Sequence, residues 1–126
     1  MDKNLQLVQE FHDVFLIPSP KELNIGGLTK RFPFFVEEVT ELRNELVSAE
    51  GTADSIFKEL CDVQYTLDSL FISYGVADKK AAAMAEVHRS NMSKLDDKGE
   101  PVYREDGKIM KSNRFSPADL SKVLFE

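Results

Sequence analysis

Two long amphipathic segments, separated by a short break, constrain the fold of this chain more than any other feature. The first is predicted to begin near Leu28 or at Pro33 and to run to about Ala49. The second is predicted to span about residues 53–74. Apolar residues recur in both at helical spacing, and the two stripes are Phe35, Val39, Leu42 and Leu46, and Ile56, Leu60, Val63, Leu67, Leu70 and Tyr74. Because a short connection joins antiparallel neighbours, the break "EGT" at residues 50–52 predicts a helical hairpin.

The region before this hairpin predicts one more helix and a loop. Apolar residues at helical spacing indicate an amphipathic helix over residues 2–16. Pro18 and Pro20 follow, and two prolines so close together cannot continue a helix. The stretch "NIGG" at residues 24–27 is interpreted as a loop.

The region after the hairpin predicts two helices and a β-hairpin. Asp78 is expected to cap a fourth helix that runs through an alanine-rich segment to Leu95. Asp106-Gly107, between two short alternating segments, predicts the turn of a β-hairpin. Ser116-Pro117 predicts the start of a short terminal helix. The predicted class is therefore all-α, with four to five helices, a small C-terminal β-hairpin and a short terminal helix.

Four acidic residues occupy matching positions on the two long helices. Glu38 and Glu41 fall at roughly 300° and 240° around the helix axis from the first apolar stripe. Glu59 and Asp62 have the same offsets from the second stripe. In an antiparallel hairpin, residues whose numbers share one sum lie at one level, so each acid of one helix faces an acid of the other. The sequence therefore predicts a patch of four carboxylates on one side of the hairpin.

A charged, solvated helix face is the simpler interpretation of this patch. It predicts basic residues four positions after the acids, and none of those positions is basic, although Arg43 or Lys58 can reach the patch. Unpaired carboxylates repel one another, whereas a hard divalent cation is held by oxygen ligands alone. Mg²⁺ is the first choice and Mn²⁺ the second. A di-iron bundle is disfavoured, because neither His12 nor His88 lies three residues after a glutamate.

Composition restricts the partners and the compartment. The net charge of -6 and the pI near 5.0 argue against binding to a nucleic-acid polymer or an anionic membrane. Cys61 is the single cysteine, so no internal disulfide is expected. No apolar run is long enough to span a bilayer, and the first residues do not resemble a signal peptide. We therefore expect a cytoplasmic protein.

The acidic pattern resembles a known signature. "EVTE" at residues 38–41 and "ELCD" at residues 59–62, with 17 residues between them, resemble the ExxE…ExxD signature of the all-α NTP pyrophosphatases. "EEVTEL" and "VHRSNMSKL" are most similar to the MazG-like and phosphoribosyl-ATP pyrophosphohydrolase-like branch. The resemblance covers residues 1–95, which are expected to form a MazG-like helical core. Residues 96–126 are expected to be a C-terminal extension of the same domain.

The resemblance implies an enzyme that cleaves a nucleoside triphosphate between its α and β phosphates and releases a monophosphate and pyrophosphate. It implies that Glu38, Glu41, Glu59 and Asp62 hold Mg²⁺, and that the active unit is a homodimer or homotetramer. Glu41 and Glu38 are the candidates for the general base. The candidates for substrate contacts are Asn91, Lys94, Lys30, Arg31, Lys108 and Lys111. For Asn91 a hydrogen bond to the backbone, and for Lys94 simple solvation, are equally open.

Several functions remain open from the sequence. House-cleaning of the nucleotide pool is the leading hypothesis. The alternatives are phosphoribosyl-ATP pyrophosphohydrolysis in histidine synthesis, a non-catalytic helical module for nucleotide sensing or dimerisation, and a purely structural α-bundle.

Overall fold

The computed structural model describes residues 1–126 and confirms the predicted class. It is mostly helical (62%), with five α-helices and one two-stranded hairpin. Helices α1 to α5 span Lys3–Val14, Ile25–Val47, Ala53–Tyr74, Lys80–Met92 and Ser121–Phe125, and strands β1 and β2 span Val102–Tyr103 and Ile109–Met110. The chain divides into two compact units, Met1–Asp78 and Lys79–Glu126. None of the helices combines the length and the apolar character needed to cross a membrane.

Helix α3 has the predicted bounds because both of its ends carry strong capping signals. At its start, the Thr52 hydroxyl accepts a hydrogen bond from the backbone N–H of Ser55 at 3.3 Å, and the Ser55 hydroxyl accepts one from the N–H of Thr52 at 2.8 Å. At its end, Gly75 adopts a left-handed conformation with φ of 86°, which glycine reaches without steric cost.

Helices α2 and α3 are antiparallel neighbours in the predicted register. Near the connection, the Ser55 hydroxyl donates a hydrogen bond to Glu45 Oε1 at 2.5 Å. At the far end, Gly27 lies so close to Ser73 that an added Cβ would collide with the Ser73 carbonyl oxygen. The residue numbers of both pairs add to 100, as do those of each facing pair of acids. The acids therefore lie on the side along which the two helices touch.

Packing of α2 against α3 does not cover the apolar stripes of the two helices. Val39, Leu46 and Leu60 remain 41%, 59% and 51% exposed. The buried core of this unit instead forms between α1 and α3, where Leu5, Val8 and Ile72 are almost completely covered. The hairpin thus leaves much of its apolar surface open, while Glu38 and Glu59 are half-buried.

The predicted start of α2 was wrong. The helix begins at Ile25 rather than at Leu28 or Pro33, and the stretch interpreted as a loop forms its first turn. The Asn24 side chain accepts a hydrogen bond from the N–H of Gly27 at 2.8 Å, so an N-cap was present where the glycines indicated a loop. Pro33 lies inside the helix.

Three predicted helix boundaries after α3 were also wrong. A 3₁₀ turn at Ala77–Lys79 precedes α4, so Asp78 is not its N-cap, and α4 ends at Met92 rather than Leu95. Helix α5 begins at Ser121 rather than at Pro117. The late start of α5 has a tertiary cause. The N–H of Ser116 donates a hydrogen bond to Ser93 Oγ at 2.8 Å. This bond holds the segment against the end of α4 in a non-helical conformation.

The β-hairpin is confirmed. Val102 pairs with Met110 and Tyr103 pairs with Ile109 in an antiparallel register. Gly107 in the turn has φ of 88°, the left-handed conformation that the Asp-Gly pair predicted. The assignment of residues 1–95 and 96–126 to one domain stays a prediction.

Candidate active site

Three acidic side chains of α2 and α3 converge. One carboxylate oxygen from each of Glu38, Glu41 and Glu59 lies within 4.8 Å of the other two. The antiparallel register produces this convergence, because it places Glu41 of α2 level with Glu59 of α3 and leaves Glu38 one turn away. Glu38 and Glu59 are half-buried, whereas Glu41 is exposed. The cluster therefore has a covered side and a solvent side.

Two oxygens of this cluster are buried without a hydrogen-bond partner. They are Glu38 Oε2 and Glu59 Oε2. An unsatisfied buried polar atom costs about 1–3 kcal/mol, and more where the group is charged. Oxygen atoms bind Mg²⁺ at about 2.0–2.1 Å, so ligands on opposite sides of one ion are separated by about 4.2 Å. The three glutamates are within a small movement of that geometry, and their donor set fits a hard divalent cation.

The electrostatics of the cluster favour added positive charge. Burial raises the pKa of Glu38 above its ordinary value, and the negative charge of Glu41 and a hydrogen bond with Glu41 raise this pKa further. The charges of Asp62 and Glu59 act in the same direction. All of these effects disfavour the ionised form of Glu38, whereas a bound cation would favour it.

Asp62, the fourth predicted ligand, lies outside the three-carboxylate group. Its Oδ2 atom is 2.6 Å from the Nζ atom of Lys58, which also lies 3.8 Å from Glu59 Oε1. The hydrogen bond to Asp62 is the main cause that raises the pKa of Lys58 above its ordinary value. The sequence indicated that Lys58 can reach the patch, but it did not single out Asp62 as its partner, because this lysine lies four positions before Asp62 rather than after it.

The substrate-contact candidates of α2 differ in their surroundings. Lys30 is exposed. The guanidinium carbon of Arg31 lies 4.5 Å from the centre of the Phe34 ring, and its Nε atom is buried without a hydrogen-bond partner. Arg31 thus keeps unused donor capacity on a half-buried side chain.

Two further candidates lie at the end of α4 and just after it. Asn91 is exposed. Lys94 is half-buried, and its backbone N–H donates to the carbonyl of Asn91 at 3.2 Å.

The candidates beyond α4 belong to the hairpin region. Lys108 is exposed and follows the turn, where its backbone N–H donates to Asp106 Oδ1 at 3.1 Å. Lys111 is exposed, and its Nζ atom lies 4.6 Å from the centre of the Phe115 ring. Both ammonium groups are accessible to a ligand.

Comparison with known proteins agrees with this arrangement. The family described as phosphoribosyl-ATP pyrophosphohydrolase matches residues 8–91, which include α2, α3 and all four acids. A search of curated protein sequences finds no match. The matched family consists of pyrophosphohydrolases that act on phosphoanhydride bonds and typically depend on a divalent metal. Because the match spans more than half of the sequence, the chain belongs to the phosphoribosyl-ATP pyrophosphohydrolase family, within the MazG-like all-α NTP pyrophosphatase superfamily.

Proposed function

We propose that this protein is a Mg²⁺-dependent nucleoside triphosphate pyrophosphohydrolase. It cleaves the bond between the α and β phosphates and releases a nucleoside monophosphate and pyrophosphate. The observation that carries this proposal is the convergence of Glu38, Glu41 and Glu59, with two buried carboxylate oxygens that lack any partner. Mn²⁺ is the second choice of cation because it accepts the same oxygen ligands.

The acids have different parts in this proposal. Glu38, Glu41, Glu59 and Asp62 would hold the cation, and Glu38 and Glu59 would do so through their buried oxygens. A divalent cation at this position would supply positive charge to the phosphate oxygens and would lower the pKa of a bound water. Glu41 is the first candidate for the general base, because its exposed carboxylate can accept a proton from a water on the solvent side. Glu38 is the second candidate, because its carboxylate lies in the same cluster as that of Glu41.

Cationic and amide side chains are the proposed contacts to the substrate. Lys and Arg side chains neutralise phosphate oxygens, and an amide can recognise the edge of a base. The proposed substrate contacts are Arg31, Lys30, Asn91, Lys94, Lys108 and Lys111. Arg31 ranks first among the cations, because its buried Nε donor has no partner within the chain.

We also propose that the active unit is a homodimer or homotetramer. The apolar stripe of the hairpin carries Val39, Leu46 and Leu60, all of them more than 40% exposed. Contiguous apolar surface of this kind typically marks an interface in a soluble protein. A second copy of the chain is the occupant that suits it best, because the stripe is continuous with the helices that carry the acids.

The cellular role follows from the chemistry. A pyrophosphohydrolase of free nucleotides acts in house-cleaning of the cytoplasmic nucleotide pool. Phosphoribosyl-ATP is the second candidate substrate, and the observation that favours it is the description of the matched family. Both substrates present the same α–β phosphoanhydride bond to the metal site, so the four acids do not distinguish them.

A substrate panel tests the proposed activity. Pyrophosphate release would be measured from canonical and modified NTPs and dNTPs and from phosphoribosyl-ATP, each with Mg²⁺, Mn²⁺ or EDTA. We expect metal-dependent release that EDTA abolishes, and a preference for phosphoribosyl-ATP would select the second candidate. No release from any substrate by a folded, metal-binding protein would refute catalysis and support a nucleotide-sensing module.

The oligomeric proposal has its own test. Leu46→Asp places a charge on the apolar stripe, whereas Leu16→Asp places the same charge on a residue that is 87% exposed and lies off α2 and α3. Light scattering coupled to gel filtration should give a smaller mass for Leu46→Asp than for the unmodified chain and for Leu16→Asp. A monomeric unmodified chain would contradict the proposal.

A further inference from the structure

Asp62 has a partner that the three glutamates do not share. Its carboxylate lies 2.6 Å from the Lys58 ammonium, one helical turn earlier on α3. The same ammonium lies 3.8 Å from Glu59 Oε1, and Glu59 belongs to the three-carboxylate group. Lys58 therefore stands at the edge of the cluster and contacts two of the four acids.

The ion pair between Lys58 and Asp62 is weak enough for another cation to replace the Lys58 ammonium. The Lys58 side chain is 67% exposed and that of Asp62 is 32% exposed, so water competes for both groups. Ion pairs of this kind contribute little to stability. A lysine that precedes its acid by four residues also has the less favourable orientation on a helix. A divalent cation, with twice the charge and a short bond to oxygen, can displace such an ammonium.

Asp62 is nevertheless positioned to serve the cluster. The hairpin register places it level with Glu38, and its negative charge acts on Glu38 in the structure. It is the one predicted ligand outside the group in which the oxygens lie within 4.8 Å of one another. Rotation about its side-chain bonds, without movement of the backbone, would change the direction in which its carboxylate points.

We infer that Lys58 and the divalent cation compete for Asp62, so that cation binding transfers the Asp62 carboxylate from the Lys58 ammonium to the metal. This inference rests on the proposed metal site. Lys58 is then a positioning residue that sets the cation affinity, and it acts through Asp62 rather than through direct contact with the cation.

Calorimetric titration of the full chain with Mn²⁺ tests the competition. Lys58→Met removes the ammonium and keeps the stem, Lys58→Arg keeps the charge, and Lys3→Met is the control for loss of one exposed positive charge. Because exposed ion pairs are weak, Lys58→Met should bind Mn²⁺ only about 1.5-fold to fivefold more tightly. Lys58→Arg and Lys3→Met should stay closer to the unmodified chain. Unchanged or weaker binding by Lys58→Met would overturn the inference.

A double-mutant cycle separates exchange from a general charge effect. Asp62→Asn removes the group for which the ammonium and the cation compete. If exchange occurs, Asp62→Asn weakens Mn²⁺ binding, and adding Lys58→Met to it produces no further tightening. If Lys58 only lowers the local negative potential, Lys58→Met tightens binding equally in both backgrounds, and exchange is refuted.

The accessibility of the lysine gives an independent readout. Acetylation of Lys58 by an amine-reactive ester, measured by mass spectrometry, should become faster when Mn²⁺ is added, because the ammonium loses its 2.6 Å partner. The same rate with and without Mn²⁺ would show that the pair stays intact and that the glutamates alone hold the cation. If the unmodified chain binds no Mn²⁺, the metal site and the exchange both fail. Binding without a Lys58 effect refutes the exchange alone.

Discussion

Replacement of Gly27 by alanine tests the close contact on which the hairpin register depends. A Cβ at this position would meet the Ser73 carbonyl oxygen at a distance that real side chains do not adopt, and a backbone atom cannot rotate away. The N–H of Asn24 donates to the carbonyl of Tyr74 at 3.0 Å, so the same end of the hairpin is also tied by backbone. Forcing extra volume into such a contact costs about 1–3 kcal/mol. Gly27→Ala should therefore destabilise the fold, even though alanine favours helices.

Gly26 provides the matched control for this prediction. It lies in the same helical turn, and the nearest atom to its added Cβ is Asn24 Oδ1 at 3.4 Å, an ordinary contact. Gly26→Ala should gain up to about 0.5–1 kcal/mol from reduced backbone freedom. Urea unfolding followed by circular dichroism, at one protein concentration, should place the two variants about 1.5–4 kcal/mol apart. If Gly27→Ala is as stable as Gly26→Ala, the close approach of α2 and α3 is wrong.

Three further predictions concern charge and hydrogen bonding. His12 is fully buried, and burial lowers its pKa below 6.5, so the unfolded chain takes up the proton first and stability should fall as pH falls below 6.5. Urea midpoints should depend on pH less steeply in His12→Asn. In EDTA, Glu38→Gln should be more stable than the unmodified chain, because it removes a carboxylate with a raised pKa, and Mn²⁺ should no longer stabilise it. Arg89→Ala should speed hydrogen exchange at the amides of residues 116, 118 and 119, because Arg89 donates to the Pro117 carbonyl at 3.1 Å, whereas Arg104→Ala should not. An unchanged result in any of these three measurements would contradict the corresponding contact.

The parts of the fold that the sequence predicted well are those with local causes. Helix α3 has its predicted bounds because Thr52 and Gly75 cap it through contacts within a few residues. The start of α2 was misplaced although its cause is also local. The two glycines after Asn24 were taken to indicate a loop, and the ability of Asn24 to cap a helix was not considered. The terminal helix was predicted, but its start was misplaced for a different reason. Ser116-Pro117 is a good helix start, but Ser116 is held by Ser93, which lies 23 residues earlier in the chain.

The candidate site also has features that local spacing predicted and features that depend on distant parts of the sequence. Helical periodicity and the antiparallel register were enough to predict that acids of α2 and α3 converge, since both follow from residue spacing. The preference of Asp62 for Lys58 could have been found by examining both directions along the helix. The buried His12 could not, because its Nε2 atom meets the Ser69 hydroxyl at 2.7 Å across 57 residues of sequence. No local pattern encodes a contact of that kind.

The central claim is that the glutamates of α2 and α3 form the catalytic metal site, and one comparison tests it most directly. Glu41→Gln alters the exposed acid of the cluster, whereas Glu37→Gln alters the preceding residue, an exposed acid outside the cluster. Pyrophosphate release from the preferred nucleotide, at saturating Mg²⁺, would be measured for both variants and for the unmodified chain. Removing a general base lowers turnover by about 10²–10⁴-fold, so Glu41→Gln should lose at least about a hundredfold while Glu37→Gln keeps near-full turnover. Equal turnover of the two variants would contradict the account.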